Sequence, residues 1–315
     1  MSVRVFIDGE AGTTGLQIRE RLAGRPDLTL LSIDPALRKD TSARADLLNS
    51  ADIAILCLPD SAATESVSLI QNSTTRVIDA SSAHRVHSEW AYGFAEMSKE
   101  QTALIKEARF VANPGCYPQG VIATIRPLVA AGLLPADLPI TVNAISGYSG
   151  GGRQLIESYE ADANASPYMP YALGFNHKHL PEMEKYSLLK STPLFQPAVG
   201  NYAQGMVTAV PLQLGALNDA PSGAALYEAI ADYYAGSNGF VQVAPFNGDQ
   251  KREDLNPETF NGTNTMRLHV FANEDRRQAV LMAVYDNLGK GASGAAVQNM
   301  NLMIGADPFE GLKTA

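Results

Sequence analysis

Residues 3–22 read Val3-Arg-Val-Phe-Ile-Asp8, then Gly9-Glu-Ala-Gly12-Thr13-Thr14-Gly15, then Leu16-Gln-Ile-Arg-Glu-Arg-Leu22. The first part is a short apolar run of strand type, and the last has the spacing of a helix. Between them stands G-x-x-G-x-x-G. Glycines between a strand and a helix permit a tight turn. They also let backbone approach a pyrophosphate seated on the helix N-terminus. Thr13 and Thr14 add hydroxyl donors. The spacing departs from the commoner G-x-G-x-x-G, and a turn with incidental glycines is the competing reading. The strand at the start of the chain favours a nucleotide.

The same rhythm continues outward. Leu28–Asp34 (LTLLSID), Asp52–Pro59 (DIAILCLP), Arg76–Ser81 (RVIDAS) and Arg109–Ala112 (RFVA) read as strands, with helical stretches between several of them. Short apolar strands alternating with helices predict an α/β fold with a doubly wound parallel sheet. The end of the second strand carries two opposed signals. Asp34 stands where an acid would hold a ribose 2′-hydroxyl and favour NAD. Arg38 and Lys39 follow and could hold a 2′-phosphate, favouring NADP; a solvated charge pair is the plain alternative.

The pattern changes after Asn113-Pro114-Gly115-Cys116-Tyr117-Pro118. A helix is expected over Gln119–Ala131, then strands over Leu138–Ser146, Gly205–Leu212, Gly239–Ala244 and Thr265–Phe271. One strong helix, Gly223–Tyr234, interrupts them. This predicts a second, α+β domain, with the boundary near residues 113–117. The tail GKGASGAAVQNMNLMIG reads as a glycine-rich loop entering a helix of small residues.

Composition narrows the function. A chain of 315 residues with 45% apolar and 18% charged residues can build a sizeable core. No apolar run is long enough to span a bilayer, and the opening MSVRVFID predicts no secretory signal. A net charge of −9 disfavours nucleic acid or an anionic membrane as partner. Two cysteines, Cys57 and Cys116, are too few for a disulfide framework or a cysteine-rich metal site. A reducing cytoplasm is expected.

Cys116 sits between a strand and a helix, where helix N–H groups lower a thiol pKa and can hold an oxyanion. Its Gly-Pro-Asn setting favours a nucleophile over core packing. Cys57, inside AILCLP, reads as core. His177, His179 and Glu182 lie in HKHLPEM. They could be metal ligands, but beside a thiol and a nucleotide site acid–base work is the better reading, with the carboxylate orienting an imidazole. His84, His87 and His269 are given no catalytic role. The loop Ser146–Arg153 (SGYSGGGR) offers exposed amides, and Arg153 could fork onto a carboxylate or phosphate. Asp79–Arg85 (DASSAHR) adds two hydroxyls, including Ser81, and the Arg85 guanidinium.

Taken together, GEAGTTG, NPGCYP, SGYSGGGR, HKHLPEM and DNLGKGASGAAVQNMNL resemble the N-acetyl-γ-glutamyl-phosphate reductase family, relatives of aspartate-semialdehyde dehydrogenase, in its compact branch. The motifs run from residue 9 to 302. The resemblance implies a Rossmann-type domain over 1–115, joined by a C-terminal helix at 290–315, and a catalytic and oligomerisation domain over 116–289. It implies reduction of N-acetyl-γ-glutamyl phosphate by NADPH, the third step of arginine biosynthesis, with Cys116 as nucleophile and the acid–base histidine drawn from His177 and His179. It implies Gly9, Gly12, Thr13, Thr14, Gly15, Arg38, Lys39, Ser81, Asn287 and Lys290 as cofactor contacts. It implies Arg85, Asn113, Ser149, Gly150 and Arg153 as substrate contacts. No metal is implied, and a homodimer or homotetramer is.

The chemistry is coherent on the residues alone. A thiolate can displace phosphate from an acyl phosphate, hydride can reduce the thioester, and an imidazolium can return the proton. The rivals are a reductase of another acyl phosphate, such as aspartyl phosphate, a dinucleotide-sensing regulator without a nucleophile, and a metal hydrolase built on His177, His179 and Glu182.

Overall fold

The computed structural model describes residues 2–236, 239–248 and 252–315. The chain forms two compact units, residues 1–114 with 292–312 and residues 115–291 with 313–315.

In the first unit the elements run β1 (Val3–Asp8), α1 (Thr13–Leu22), β2 (Leu28–Leu31), α2 (Thr41–Ser50), β3 (Ile53–Leu56), α3 (Asp60–Ser68), β4 (Arg76–Asp79), β5 (Ala91–Tyr92), α4 (Gln101–Glu107) and β6 (Phe110–Ala112). Six strands lie in the order β2-β1-β3-β4-β6-β5, and every pairing is parallel. Strand alternation sorts the apolar side chains onto two faces. Val5, Ile7, Ile53, Ile55 and Ile78 join one cluster with Ile18 of α1. Phe6, Ala54, Leu56 and Val77 join the other with Leu48 of α2 and Ala63 of α3. Covering on both faces explains why β3 is buried at every position. The chain leaves β1 toward β2 on one side and returns to β3 on the other. That reversal leaves a crevice at the carboxyl ends of β1 and β3, where open α/β sheets take ligands.

The second strand is shorter than its sequence suggests. It ends at Leu31, because Asp34 turns the chain: its Oδ1 accepts the Ala36 N–H at 2.9 Å, and the Leu37 N–H reaches the Asp34 carbonyl at 2.8 Å.

A buried ion pair supports the end of β1. Arg44 of α2 donates to Asp8 Oδ2 from Nη2 at 3.0 Å and from Nε at 3.3 Å, and the Ser66 hydroxyl donates to the same oxygen at 2.9 Å. Asp8 and Arg44 are both buried. Arg44→Ala would leave the carboxylate buried and uncompensated. It is expected to lower unfolding free energy by about 3–5 kcal/mol, the scale for breaking one member of such a pair. Urea titration followed by circular dichroism measures it, and a loss within error of zero would contradict the assignment.

The second unit begins with α5 (Cys116–Ala130) and continues with β7 (Thr141–Gly147), α6 (Arg153–Ala161), β8 (Tyr168–Pro170), α7 (Leu180–Tyr186), β9 (Leu194–Gly200), β10 (Met206–Gln213), α8 (Gly223–Tyr234), β11 (Val241–Val243), α9 (Arg252–Leu255), β12 (Met266–Asn273) and β13 (Gln278–Tyr285). Seven strands form a mixed sheet ordered β11-β12-β13-β10-β7-β9-β8. Beyond the two helices expected in this half, α6, α7 and α9 also form. Strands β8, β9 and β13 add to those expected. Pro197 hides β9 in the sequence, because proline cannot donate to a sheet ladder. Strand β13 (QAVLMAVY) mixes good helix formers into its alternation, and pairing along its whole length with β10 and β12 decides the matter.

A single wider helical turn over Gly289–Ser293 precedes α10 (Gly294–Ile304). Ala296, Val297 and Met300 of α10 belong to the first unit's core cluster. Lys290 and Gly291 group with the second unit; there Gln119 Nε2 donates to the Lys290 carbonyl at 2.8 Å. So do residues 313–315, because the Ala315 N–H donates to the Thr265 hydroxyl at 2.9 Å.

Candidate active site

In the first unit, the turn after β1 suits a pyrophosphate by its own geometry. Gly9 has φ of +89°, and a Cβ there would lie 2.4 Å from the Cys57 carbonyl oxygen. A Cβ at Gly15 would lie 2.6 Å from the Gly9 carbonyl oxygen. Only glycines let the loop close on itself this way. Gly12 caps α1 with no side-chain hydrogen bond, and the first turn, with Thr13 and Thr14, carries no acid. An uncapped, acid-free helix start is an anion seat.

Other first-unit candidates are tied into the scaffold. Ser81 donates to Asp79 from both N and Oγ, at 2.8 and 2.7 Å, and His84 Nδ1 lies 2.6 Å from the same carboxylate. Arg85 is buried and donates to the backbone carbonyls of Asn113 and Ala80, both at 3.0 Å. Asn113 is buried; its Nδ2 donates to the Ala292 carbonyl at 3.0 Å, and its Oδ1 accepts from Asn299. These bonds fix the approach to the Pro114-Gly115 turn. Arg38 Nε reaches back to the Pro35 carbonyl at 3.1 Å, and Arg38 and Lys39 are exposed.

In the second unit, Cys116 opens α5. Gly115 is the N-cap and lends no side chain to the helix N–H groups. Glu182, buried in the first turn of α7, accepts the Gly115 N–H on Oε2 at 2.9 Å. The carboxylate thus fixes the residue just before the thiol. The Tyr285 hydroxyl donates to the Cys116 carbonyl at 2.6 Å and accepts the Gly120 N–H at 3.1 Å, pinning the same turn from β13. Gly291 lies against the thiol's stem: a Cβ there would sit 3.0 Å from Cys116 Cβ.

The histidines share an aromatic box with this turn. The Tyr117 ring lies 6.1 Å from His177 and 6.0 Å from His179, and the two imidazoles are 4.6 Å apart. Phe195 of β9 meets His177 edge-on at 5.1 Å. His177 Nδ1 accepts the His179 backbone N–H at 3.1 Å. That bond assigns the neutral ring's proton to Nε2. Nε2 stands 3.5 Å from the Tyr171 hydroxyl. His179 is buried and His177 half-buried. Burial, with a further push from neighbouring Cys116, raises the Tyr171 hydroxyl to about 12, against the easing bond to Tyr117. Tyr171 therefore stands beside His177 in its neutral form. Sequence reading passed it over; its only sequence signal is an aromatic cluster just ahead of the histidine pair.

The other thiol differs in kind. Cys57 packs against the first-unit core, and desolvation, reinforced by the Asp79 and Asp8 carboxylates, pushes it up to about 12. It stays protonated at neutral pH.

The remaining candidates divide. Ser149 is buried and accepts from Asn287 Nδ2 at 3.1 Å, while Asn287 Oδ1 accepts the Gly205 N–H at 2.7 Å. A Cβ at Gly150 would lie 3.1 Å from Ser146 Oγ. Asn287 therefore braces the Ser149–Gly150 turn. Lys290 is buried, with its ammonium 5.3 Å over the Phe240 ring. For both residues the sequence grouping with the cofactor meets side chains engaged inside the second unit. Arg153 is exposed in the first turn of α6, directly after Gly152. Among the described residues no group of His, Cys, Asp and Glu side chains is arranged to hold a metal, so His177, His179 and Glu182 form no ligand set.

A glycine loop with an uncapped helix start in the first unit, and in the second a helix-borne cysteine whose neighbour Tyr117 packs on a histidine pair, are the parts of an enzyme of the semialdehyde dehydrogenase type. Two family models agree: "semialdehyde dehydrogenase, NAD binding domain" matches residues 32–105, and "semialdehyde dehydrogenase, dimerisation domain" matches residues 116–287. The aspartate semialdehyde dehydrogenase II of Vibrio cholerae, solved with ASA, shares the fold at a TM-score of 0.68 with 17% identity, over 96% of this chain and 98% of that one. The Candida albicans enzyme, solved with NADP, aligns at 0.65 with 13% identity, over 96% and 99%. Sequence relatives are more specific. The N-acetyl-γ-glutamyl-phosphate reductase of Mesorhizobium japonicum is 63% identical, covering 97% of this chain and 100% of its own. N-acetyl-γ-glutamyl-phosphate reductase 2 of a Nostoc species is 51% identical, covering 98% and 99%. The chain belongs to the N-acetyl-γ-glutamyl-phosphate reductase family.

Proposed function

We propose that the protein reduces N-acetyl-γ-glutamyl phosphate to N-acetylglutamate semialdehyde with NADPH, releasing phosphate, within arginine biosynthesis. The observation that carries this is Cys116 in the first turn of α5, capped by no side chain, with the ring of its neighbour Tyr117 packed on the His177–His179 pair. The helix N-terminus favours the thiolate, and the thiol proton passes to an imidazole of the histidine pair. The thiolate attacks the γ-carbonyl, the C–O bond to phosphate breaks, and a thioester to Cys116 remains. NADPH, if held at the glycine loop, would supply the hydride that reduces the thioester. An imidazolium of the histidine pair gives its proton to the hemithioacetal oxygen during reduction, or to the departing sulfur as the aldehyde leaves. Glu182 holds Gly115, which fixes the backbone just before the thiol at the start of α5, and the neutral Tyr171 hydroxyl steadies the His177 ring.

The glycine loop, through Gly9, Gly12, Thr13, Thr14 and Gly15, would hold the dinucleotide. The substrate's carboxylate and phosphate need separate cationic or amide-rich seats. Arg153 with the Ser149–Gly150 turn is assigned to one of them. Arg153→Lys loses the planar fork, and substrate use should weaken by about 1.5–3 kcal/mol, the range for hydrogen bonds to charged groups. NADPH affinity should not move. Fluorescence titration and substrate-dependent rates separate the two; lost NADPH binding with an unchanged substrate KM would move Arg153 to the cofactor.

We further propose a homo-oligomer. Tyr168, Met169, Leu173 and Phe175 of the second unit expose large apolar side chains close together in sequence, and α6 buries none of its residues. No helix among the described residues is long and apolar enough to cross a membrane, and the cytoplasm is the proposed compartment.

The assay that tests the activity runs in reverse: NADP⁺, phosphate and N-acetylglutamate semialdehyde, followed by NADPH absorbance. Phosphate-dependent reduction of NADP⁺ is expected. Preference for aspartate semialdehyde, or no turnover with either aldehyde, would overturn the reading.

A further inference from the structure

We infer that Arg19 and Ser32, held by Glu10, form the seat for the adenosine 2′-phosphate and set the preference for NADPH, rather than the Arg38–Lys39 pair. The inference rests on the cofactor reading above and concerns which residues read it.

Three elements of the first unit converge here. Glu10 lies in the glycine loop, Arg19 in the last turns of α1, and Ser32 directly after β2. Arg19 Nη1 is shared between the Glu10 carboxylate and Ser32 Oγ, the latter at 3.2 Å. The residue just past the second strand of a doubly wound sheet is where the adenosine ribose is read, by an acid for a free 2′-hydroxyl or an arginine for a 2′-phosphate. The side chain reaching that point is Arg19, projected across from the first helix. A guanidinium and a hydroxyl side by side match a phosphate's acceptor oxygens.

The rival residues are turned to other tasks. Asp34, the acid that would select NAD, spends Oδ1 on the Ala36 N–H at 2.9 Å, closing the turn. Arg38 folds back on that turn to the Pro35 carbonyl at 3.1 Å. Both belong to the exposed loop beyond Ser32, whereas Arg19 is anchored on a helix. Glu10 completes the device. Its carboxylate orients Arg19 and is the group a dianionic 2′-phosphate would replace. Glu10 therefore works against phosphate binding while it keeps the guanidinium in place.

The test is a binding titration of the apo protein, independent of turnover, with 2′,5′-ADP and 5′-AMP as probes and NADH as a check on folding. The parent should bind 2′,5′-ADP more tightly than 5′-AMP. Arg19→Ala should lose about 10- to 100-fold toward 2′,5′-ADP, the worth of a charge-assisted contact, and keep its affinity for 5′-AMP and NADH. Glu10→Gln should tighten 2′,5′-ADP binding about two- to fivefold, the scale of one exposed ion pair. A merely structural pair would not produce that gain. The inference is overturned, with NADPH use intact, if Arg19→Ala keeps the discrimination or if a double Arg38→Ala, Lys39→Ala variant is the one that loses it. If the parent itself binds the two probes equally, the NADP reading falls and the inference falls with it.

Discussion

Cys116→Ser is expected to abolish turnover while leaving nucleotide binding intact. Serine keeps the shape of the side chain but not the accessible anion. A hydroxyl has no pKa that a helix N-terminus could bring near neutrality, so the serine stays neutral and is a weak nucleophile. Removing a covalent nucleophile from a working assembly costs on the order of 10⁶ in rate. The nucleotide loop lies in the other compact unit, so its affinity should not change. The same site contrast appears in labelling. Iodoacetamide at neutral pH should modify Cys116 first, because Cys57 is desolvated and pushed up to about 12. Mass spectrometry of tryptic peptides reads the order. Near-normal turnover in the serine variant, or Cys57 labelled first, would remove the thiol from the mechanism.

The second large effect is expected at the histidine pair. Alanine at the acid–base member should cut the rate by about 10²–10⁴, the usual worth of such a group. Alanine at the other should act mainly on substrate KM or on stability. The structure gives the two rings different surroundings. His177 Nδ1 is committed to the His179 N–H, leaving Nε2 toward Tyr171. His179 is buried against Tyr117 at the start of α7. The pH dependence of kcat separates them, since only loss of the proton carrier removes a titration from the profile. Two equally mild variants would exclude this segment from the chemistry. Activity lost on chelation would return His177, His179 and Glu182 to the metal reading.

How much of this could be read from the chain alone depends on range. The first unit was legible because its signals are local. A strand, a glycine turn and a helix sit together in 3–22, and period-two alternation in β1 and β3 sorts side chains to two covered faces. The second unit depends on long-range pairing. Strand β9 contains Pro197 and β13 reads ambiguously, so their partners in the sheet, not their sequences, make them strands. The site divides the same way. Cys116 declares itself through its Gly-Pro surroundings, and HxH through its spacing. That Glu182 reaches Gly115, across 67 residues of chain, has no local signature. Nor does the neighbourhood of Tyr171, nor the meeting of Arg19 with Ser32. Arg85 and Asn113 looked like ligand-facing polar residues, yet much of their hydrogen bonding goes to backbone. Burial of this kind is invisible in a sequence, because an arginine's donors look the same whether they face a carbonyl or a phosphate.

The mechanism turns on a thioester at Cys116. Its most direct measurement is acid-quenched peptide mass spectrometry of the protein mixed with N-acetylglutamate semialdehyde and NADP⁺ without phosphate. Hydride leaves the hemithioacetal, and with no phosphate to attack the acyl group, the account predicts an N-acetylglutamyl adduct on the peptide carrying Cys116. Hydroxylamine should release it, and added phosphate should discharge it. NADPH formed by the unmodified protein with no acyl adduct at Cys116, or with the adduct on another residue, would contradict the account.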